Sequence, residues 1–187
     1  MRKTFMTALA ASSLIALSAC GDGADDVDTD TMAEETIVED DTAMVEDVEP
    51  VPAVEPNGNV IEVQMYTRDP DGSGMQVFAP RVVRAEVGDT IRFVPTDPTH
   101  QSQSIDEMLP AGVEGWKGDI NEAVEYVVPT PGIYGYKCNP HYAAGMVGLV
   151  IVEGEGMTDN LEAAKAVSHP GLAGREFDEI FAEADIG

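Results

Sequence analysis

The chain has 187 residues and carries 35 Asp and Glu against 10 Lys and Arg, which gives a formal net charge of −25. This charge excludes binding to nucleic acid through its phosphates, which requires clustered Lys and Arg, and it opposes an electrostatic hold on an anionic membrane. With only two cysteines and three histidines, the chain can build one small metal site but not a centre of several metal ions.

Residues 1–19 have the pattern of an export signal. Arg2 and Lys3 give a positive start, and an uncharged, mostly apolar run follows over residues 5–16. That run is too short to span a bilayer comfortably. The alternative is a buried N-terminal helix of the mature fold.

The signal ends in Leu17-Ser18-Ala19-Cys20, which resembles the lipobox of bacterial lipoproteins. The resemblance implies cleavage before Cys20, diacylation of Cys20 and a mature N-terminus anchored in a membrane. Gly21 does not resemble the Asp associated with inner-membrane retention, which slightly favours the outer membrane. Ordinary signal cleavage, with Cys20 unmodified, is the alternative.

An acidic, disordered linker is predicted over residues 20–58. Residues 21–58 contain fourteen Asp and Glu, no Lys or Arg and no aromatic residue. Such a segment cannot bury enough apolar surface to offset the entropy of ordering it. As a flexible coil it would span about 35 Å, enough for an anchored domain to reach a neighbouring partner, although a plain spacer is the simpler interpretation.

Residues 59–187 are predicted to form one folded domain that begins with short strands. Strand-like runs, rich in β-branched residues or alternating polar with apolar ones, lie at 60–65, 81–87, 90–94, 125–128, 133–137 and 147–152. Turn signals such as Gly88-Asp89 and the Pro-Gly-rich stretch 129–132 separate them. Several short strands at this spacing predict a β-sandwich or a barrel.

Helical segments are predicted in three places. A short helical turn is expected near residues 105–109. Thr158 is a candidate N-cap for a helix over residues 159–167, and residues 172–184 have the spacing of a second amphipathic helix. The sequence His169-Pro170-Gly171 separates the two helices.

One loop concentrates residues that can bind a metal. Cys138, His141 and Met146 lie between the last two predicted strands, and His100 lies just past the run 90–94. One thiolate, two imidazoles and a weak thioether form the ligand set that holds copper in electron-transfer sites.

Each of these residues also has a simpler interpretation, since a lone Cys is commonly a small buried hydrophobe and a Met fills gaps in a core. The compact spacing on a strand-to-strand loop favours the metal. In addition, Cys138 has no disulfide partner if Cys20 is lipidated. An unpaired thiol in an oxidising compartment favours a role such as metal binding.

Residues 59–185 resemble a cupredoxin, and in particular a pseudoazurin. The matching features are the His100 loop, the loop Cys138–Met146, the two C-terminal helices, Gly88-Asp89-Thr90, Ser104-Ile105, Met108-Leu109-Pro110, Ile120-Asn121-Glu122 and Pro131-Gly132-Ile133-Tyr134. The resemblance implies a mainly β, Greek-key sandwich of eight strands with two C-terminal α-helices. It also implies one type 1 copper ion and a periplasmic one-electron carrier that is not an enzyme.

The resemblance assigns roles by position. His100, Cys138 and His141 would be the equatorial copper ligands, Met146 the weak axial ligand, and His141 the electron port at the surface. A docking patch would consist of Pro140, His141, Tyr142, Ala143 and Ala144. Implied partners are redox proteins such as a c-type cytochrome or a copper nitrite reductase, and we expect a monomer.

Two residues beside these ligands differ from the family pattern. Pseudoazurins have Asn where this chain has Gln101, and Thr where it has Asn139; in the family both side chains help to hold the ligand loops together. We expect the amide to have changed sides, copper binding to survive and the reduction potential to be altered.

The charge around the port also differs from the family. Pseudoazurins ring the port with lysines, whereas Lys117 and Lys137 are the only lysines in residues 59–164. Excess negative charge favours a basic redox partner over the usual acidic one.

Two other functions compete with electron transfer. A copper-holding or copper-delivery lipoprotein is the main alternative. A catalytic oxidase or reductase would need a second metal centre or open coordination, which three histidines do not supply. His169 is predicted to be a surface or capping residue and not a ligand.

Overall fold

The computed structural model describes residues 48–72 and 74–186, so the predicted export signal, Cys20 and most of the linker lie outside the described residues. The described strands are β1 Val60–Arg68, β2 Met75–Ala79, β3 Val82–Glu86, β4 Thr90–Pro95, β5 Gln103–Ser104, β6 Val124–Val127, β7 Gly132–Lys137 and β8 Val147–Glu153. Two α-helices follow, α1 Leu161–Ala166 and α2 Ala173–Ala184.

The strands form two four-stranded sheets. One has the order β2-β1-β4-β6 and the other β3-β8-β7-β5. In the first sheet β1 and β4 are parallel, in the second β3 and β8 are parallel, and the remaining pairs are antiparallel. The predicted mainly β sandwich with two C-terminal helices is confirmed.

Two strands have no counterpart among the predicted runs. In β2 only Phe78 is buried, so its sequence lacks a clear apolar face. β5 contains only two residues, Gln103 and Ser104. Neither segment has a clear alternation of apolar and polar residues over enough positions to be recognised as a strand from its sequence.

The position of β8 between two cores explains why its sequence is apolar almost throughout. Val150 and Val152 belong to the core between the two sheets, whereas Leu149 and Ile151 belong to a second core under the helices. Because successive side chains of a strand point to opposite faces, a strand covered on both faces needs apolar residues at every position.

The predicted cap of α1 is wrong. The residue before the helix is Asn160, not Thr158, and its side chain does not cap the helix. Instead Asn160 Oδ1 accepts the Ile133 N–H at 3.0 Å, and its Nδ2 donates to the Ile133 carbonyl at 2.8 Å. The amide thus joins the edge of α1 to the backbone of β7.

Helix α2 packs on β8 through a buried face that includes Phe177 and Ile180. On its rim, Arg81 forms ion pairs with Glu176, Glu179 and Glu183 at 3.6, 3.8 and 2.7 Å. Among the described residues, no helix has the length and apolarity needed to cross a membrane.

The residues just before β1 contact the sandwich. The Val51 N–H donates to the Gly112 carbonyl at 2.8 Å, and the Asn57 N–H donates to the Gly88 carbonyl at 2.9 Å. Ordered contacts therefore extend several residues into the segment predicted as linker. For the residues before 48, the boundary between signal and linker stays a prediction.

Candidate metal centre

His100 lies in the loop that follows β4 at one end of the sandwich. The N–H groups of Thr96 and Asp97 donate to the Met65 carbonyl at 3.1 and 3.2 Å, and the Asn121 N–H donates to the His100 carbonyl at 2.9 Å. These bonds hold the loop between two neighbouring segments. The His100 side chain is fully buried.

The second loop joins β7 to β8. At its mouth the Cys138 N–H donates to the Met146 carbonyl at 3.0 Å, and the His141 N–H donates to the Cys138 carbonyl at 3.1 Å. Residues Asn139–Ala144 wind in short 3₁₀ turns interrupted at His141, and Gly145, with φ +95°, ends them. Three residues per 3₁₀ turn bring Cys138 and His141 to the same side of the loop.

The two loops bring three donor atoms together. His100 Nδ1 lies 3.2 Å from His141 Nδ1 and 3.9 Å from Cys138 Sγ. Cys138 Sγ lies 3.5 Å from His141 Nδ1. A point equidistant from all three lies about 2.1 Å from each, close to the metal–nitrogen bond of about 2.0–2.1 Å known for zinc. A thiol and two imidazoles at this separation fit one soft or borderline metal ion such as copper.

The three side chains differ in burial. His100 and Cys138 are fully buried, whereas His141 is half-buried and reaches the surface. Met146 is also fully buried and belongs to the same core cluster as Cys138. Of these four residues, His141 alone reaches the surface.

Burial also shapes the protonation of these groups. It raises the pKa of the Cys138 thiol, although the backbone N–H groups of Gln101 and His141 counteract the rise. Burial lowers the pKa of His100, and the neighbouring His141 lowers it further, while Asp97 raises it. Burial thus disfavours both the thiolate of Cys138 and the imidazolium of His100. A bound metal ion would stabilise the thiolate by displacing the thiol proton.

The predicted exchange of the amide between the loops is not seen. Gln101 is buried, and within the described part of the chain its Nε2 has no hydrogen-bond partner. Asn139 is exposed. The contact between the two loops is instead made by the Gln101 backbone N–H at Cys138.

Two contacts were not anticipated from the sequence. Thr67 Oγ1 lies 3.1 Å from His100 Nε2, and Tyr142 OH lies 2.6 Å from His169 Nδ1. The first has a weak signal in the sequence, because Thr67 lies on the same face of β1 as the buried residues Val63 and Met65, although it is itself exposed.

The residues predicted to form the docking patch lie together around His141. Pro140, Ala143 and Ala144 are exposed, and Tyr142 is half-buried. Leu172 extends this surface: it is 48% exposed, and its N–H donates to the Ala143 carbonyl at 2.9 Å.

The chain is similar in sequence to known copper proteins. A family model described as copper binding proteins of the plastocyanin/azurin family matches residues 63–153. Pseudoazurin from Paracoccus pantotrophus is 49% identical over 113 residues, which are 60% of this chain and 77% of that one. Pseudoazurin from Methylorubrum extorquens is 41% identical over 123 residues, covering 66% and 80%.

Solved structures of pseudoazurins are similar to this chain in fold. The crystal structure of pseudoazurin from Methylobacterium extorquens AM1 superposes with a TM-score of 0.63 at 40% identity, covering 68% of this chain and all of that one. That of pseudoazurin from Hyphomicrobium denitrificans gives 0.61 at 38% identity, covering 66% and 97%.

A two-sheet sandwich that gathers a thiol and two imidazoles at one end has the architecture of a copper-binding electron-transfer protein. With these relatives, the chain belongs to the pseudoazurin family of cupredoxins. It is accordingly an electron carrier with one type 1 copper site.

Proposed function

We propose that this protein is a periplasmic one-electron carrier in which His100, Cys138 and His141 bind copper and Met146 is the weak axial ligand. The observation that carries the proposal is the convergence of three donor atoms, all within 4.8 Å of one another, of which only His141 reaches the surface. When bound, copper supplies the one-electron Cu(I)/Cu(II) couple.

The protein's own residues supply position and shielding. The buried side chains of His100, Cys138 and Met146 exclude water from the interior of the site, and this hydrophobic shell tunes the potential of a bound metal. The Cys138 N–H donates to the Met146 carbonyl at 3.0 Å and so joins the two ends of the loop that carries the proposed donor atoms.

His141 is the proposed electron port. Its imidazole is half-buried among small or apolar neighbours, so a partner can approach it across a surface with little bound water. Pro140, Ala143 and Ala144 offer few hydrogen bonds, which suits a brief encounter rather than a lasting complex.

The proposed partners are redox proteins, either a c-type cytochrome or a copper nitrite reductase. Residues 59–187 contain 21 Asp and Glu against 8 Lys and Arg. Opposite charge steers encounter between proteins and raises the association rate. We therefore propose that the partner presents a basic face.

We also propose that Cys20 carries the lipid and that the linker holds the domain near the outer membrane. This part of the proposal rests on the lipobox-like residues 17–20. Replacement Cys20→Ser should move the protein from the membrane fraction to the soluble periplasmic fraction. An unchanged distribution would exclude the anchor but leave the copper site unaffected.

An absorption and EPR spectrum of the copper-loaded, oxidised protein tests the central proposal. A copper–thiolate bond should give an intense band near about 600 nm and the narrow copper hyperfine splitting of a blue site. Copper-loaded protein without this band would refute the ligation by Cys138.

A further inference from the structure

The buried ring of His100 leaves one nitrogen to be accounted for. Its Nδ1 faces Cys138 Sγ and His141 Nδ1, so the other nitrogen, Nε2, points away from the three-atom cluster. If Nδ1 binds a metal, Nε2 must carry the proton. Because the side chain is fully buried, this N–H needs an acceptor inside the protein, and an unpaired one would be costly.

Thr67 provides that acceptor at the end of β1. Its Oγ1 lies 3.1 Å from His100 Nε2. Val63, Met65 and Thr67 alternate along the strand, and the first two are fully buried between the sheets. Residues two apart share a face of a strand, so Thr67 lies on the same face as Met65, but at the exposed end of that face, where its hydroxyl reaches His100.

Asp97 fixes the end of β1 against the loop that carries His100. The pairing of β1 with β4 ends at Met65 and Pro95. Beyond that point the Thr67 N–H donates to Asp97 Oδ2 at 2.8 Å, and Asp97 lies three residues before His100. The carboxylate therefore continues the contact between the two segments where the backbone ladder stops.

We propose that Thr67 is a positioning residue for the copper site. Its hydroxyl accepts the His100 Nε2 proton, which selects the tautomer with a free Nδ1 lone pair and fixes the ring plane, while Asp97 positions Thr67. The inference rests on the proposed binding of copper by His100. It assigns a role to Thr67 of β1 and to Asp97 of the His100 loop, neither of which is a proposed ligand, and partners of this kind commonly orient metal-bound imidazoles.

A purely structural role for Thr67 makes a different prediction. As an exposed β-branched residue of a strand, it would affect folding but not the metal. Thr67→Val keeps the shape and removes the acceptor, whereas Thr67→Ser keeps the hydroxyl. Thr96→Val is the matched control, because its hydroxyl bonds to Gln64 in the same region and not to His100.

The experiment measures copper affinity by competition with a chelator, reduction potential and EPR on the full-length protein. Thr67→Val should weaken copper affinity about 10- to 100-fold and raise the potential, because a less basic imidazole stabilises Cu(II) less. Thr67→Ser should restore both values, and Thr96→Val should leave them unchanged. Equal affinity and potential in Thr67→Val and the wild type would overturn the inference.

A second measurement needs no substitution. In reduced wild-type protein, nitrogen-15 NMR should show His100 protonated at Nε2, with a proton that exchanges slowly because it is buried and bonded. Rapid exchange, or protonation at Nδ1, would overturn the role of Thr67. A wild-type protein without the copper–thiolate band would instead refute the proposed function, so the two failures are distinguishable.

Discussion

The hydroxyl of Tyr142 lies 2.6 Å from Nδ1 of His169. Tyr142 directly follows the surface-facing His141, whereas His169 lies between α1 and α2 and packs on Phe177 of α2, with ring centroids 4.3 Å apart. His169 is therefore not a free surface residue, nor does it belong to the metal cluster. It connects the C-terminal helices to the loop that carries the proposed electron port.

Loss of this hydrogen bond should destabilise the fold measurably. Tyr142→Phe removes the hydroxyl and should lower the free energy of unfolding by about 1 kcal/mol, measured by urea denaturation in one fixed metal state. A double-mutant cycle with His169→Gln isolates the pair, because His169→Gln should cost less free energy of unfolding in the Tyr142→Phe background than in the wild type. Fully additive effects would show that the two side chains do not interact.

The same pair predicts a dependence of stability on pH. Burial and, less strongly, Lys137 lower the pKa of His169, while Asp178 and Glu107 raise it, and the net shift is downward from 6.5. The unfolded state therefore binds a proton at a higher pH than the native state. The contribution of His169 is fully present above pH 6.5 and decreases as the pH falls through the folded pKa.

The measurement compares wild type with His169→Gln, which does not titrate at this position. The difference in their free energies of unfolding should shrink as the pH falls from 7.5 to 5, because only in the wild type does the imidazole at position 169, protonated in the unfolded state, have to lose its proton on folding. Other histidines cancel in the comparison. A difference that stays constant over this range would contradict the downward shift.

Much of the fold is predictable because it depends on local periodicity. Six strands and both helices have apolar patterns long enough to identify, and β8 has a sequence that only burial on both faces explains. Asn160 shows the limit of such patterns. The sequence places it inside the predicted helix 159–167 with Thr158 as the cap, whereas its amide binds the backbone of Ile133, 27 residues away, a contact that no local pattern records.

At the metal site too, contacts between residues close in sequence are predictable, and contacts between distant residues are not. Cys138 and His141 are three residues apart in one tight loop, so their spacing in the sequence predicts that their side chains lie together. Thr67 and His169 touch their partners across 33 and 27 residues. Such contacts are set by how the sheets and helices pack, and a Thr in a strand or a His before Pro has many other roles.

Substitution of the proposed sulfur ligands separates their roles. Cys138→Ser should abolish the band near about 600 nm, because the band comes from the copper–thiolate bond. Met146→Leu should keep the band and raise the reduction potential, since a weak axial donor stabilises Cu(II) and tunes the potential. Absorption spectra and protein-film voltammetry measure both. The opposite pattern would mean that the strong and weak ligands are misassigned.

The amide of Asn160 should be important for stability in spite of its place outside the site. Asn160→Ala leaves the N–H and carbonyl of the fully buried Ile133 without these partners, which should cost about 1–3 kcal/mol. Glu162→Ala is the control on the same helix, since its contact with Lys165 is a 4.0 Å surface pair that contributes little. Equal urea midpoints for the two variants would refute the role of Asn160.

Charge near the port should govern the encounter with a basic partner. Glu107 is exposed and lies near enough to Tyr142 and His169 to influence both, whereas Glu155 is exposed beyond the far end of β8. Stopped-flow electron transfer with a basic c-type cytochrome should slow as salt is added, because exposed charges are screened over about 10 Å at 0.1 M.

Glu107→Lys should lower the low-salt rate more than Glu155→Lys, although both change the net charge equally. The two variants should converge at high salt, where steering is lost and only the contact at His141 remains. Equal low-salt rates for the two variants, or a wild-type rate that does not respond to salt, would show that the partner is not recognised through this acidic surface.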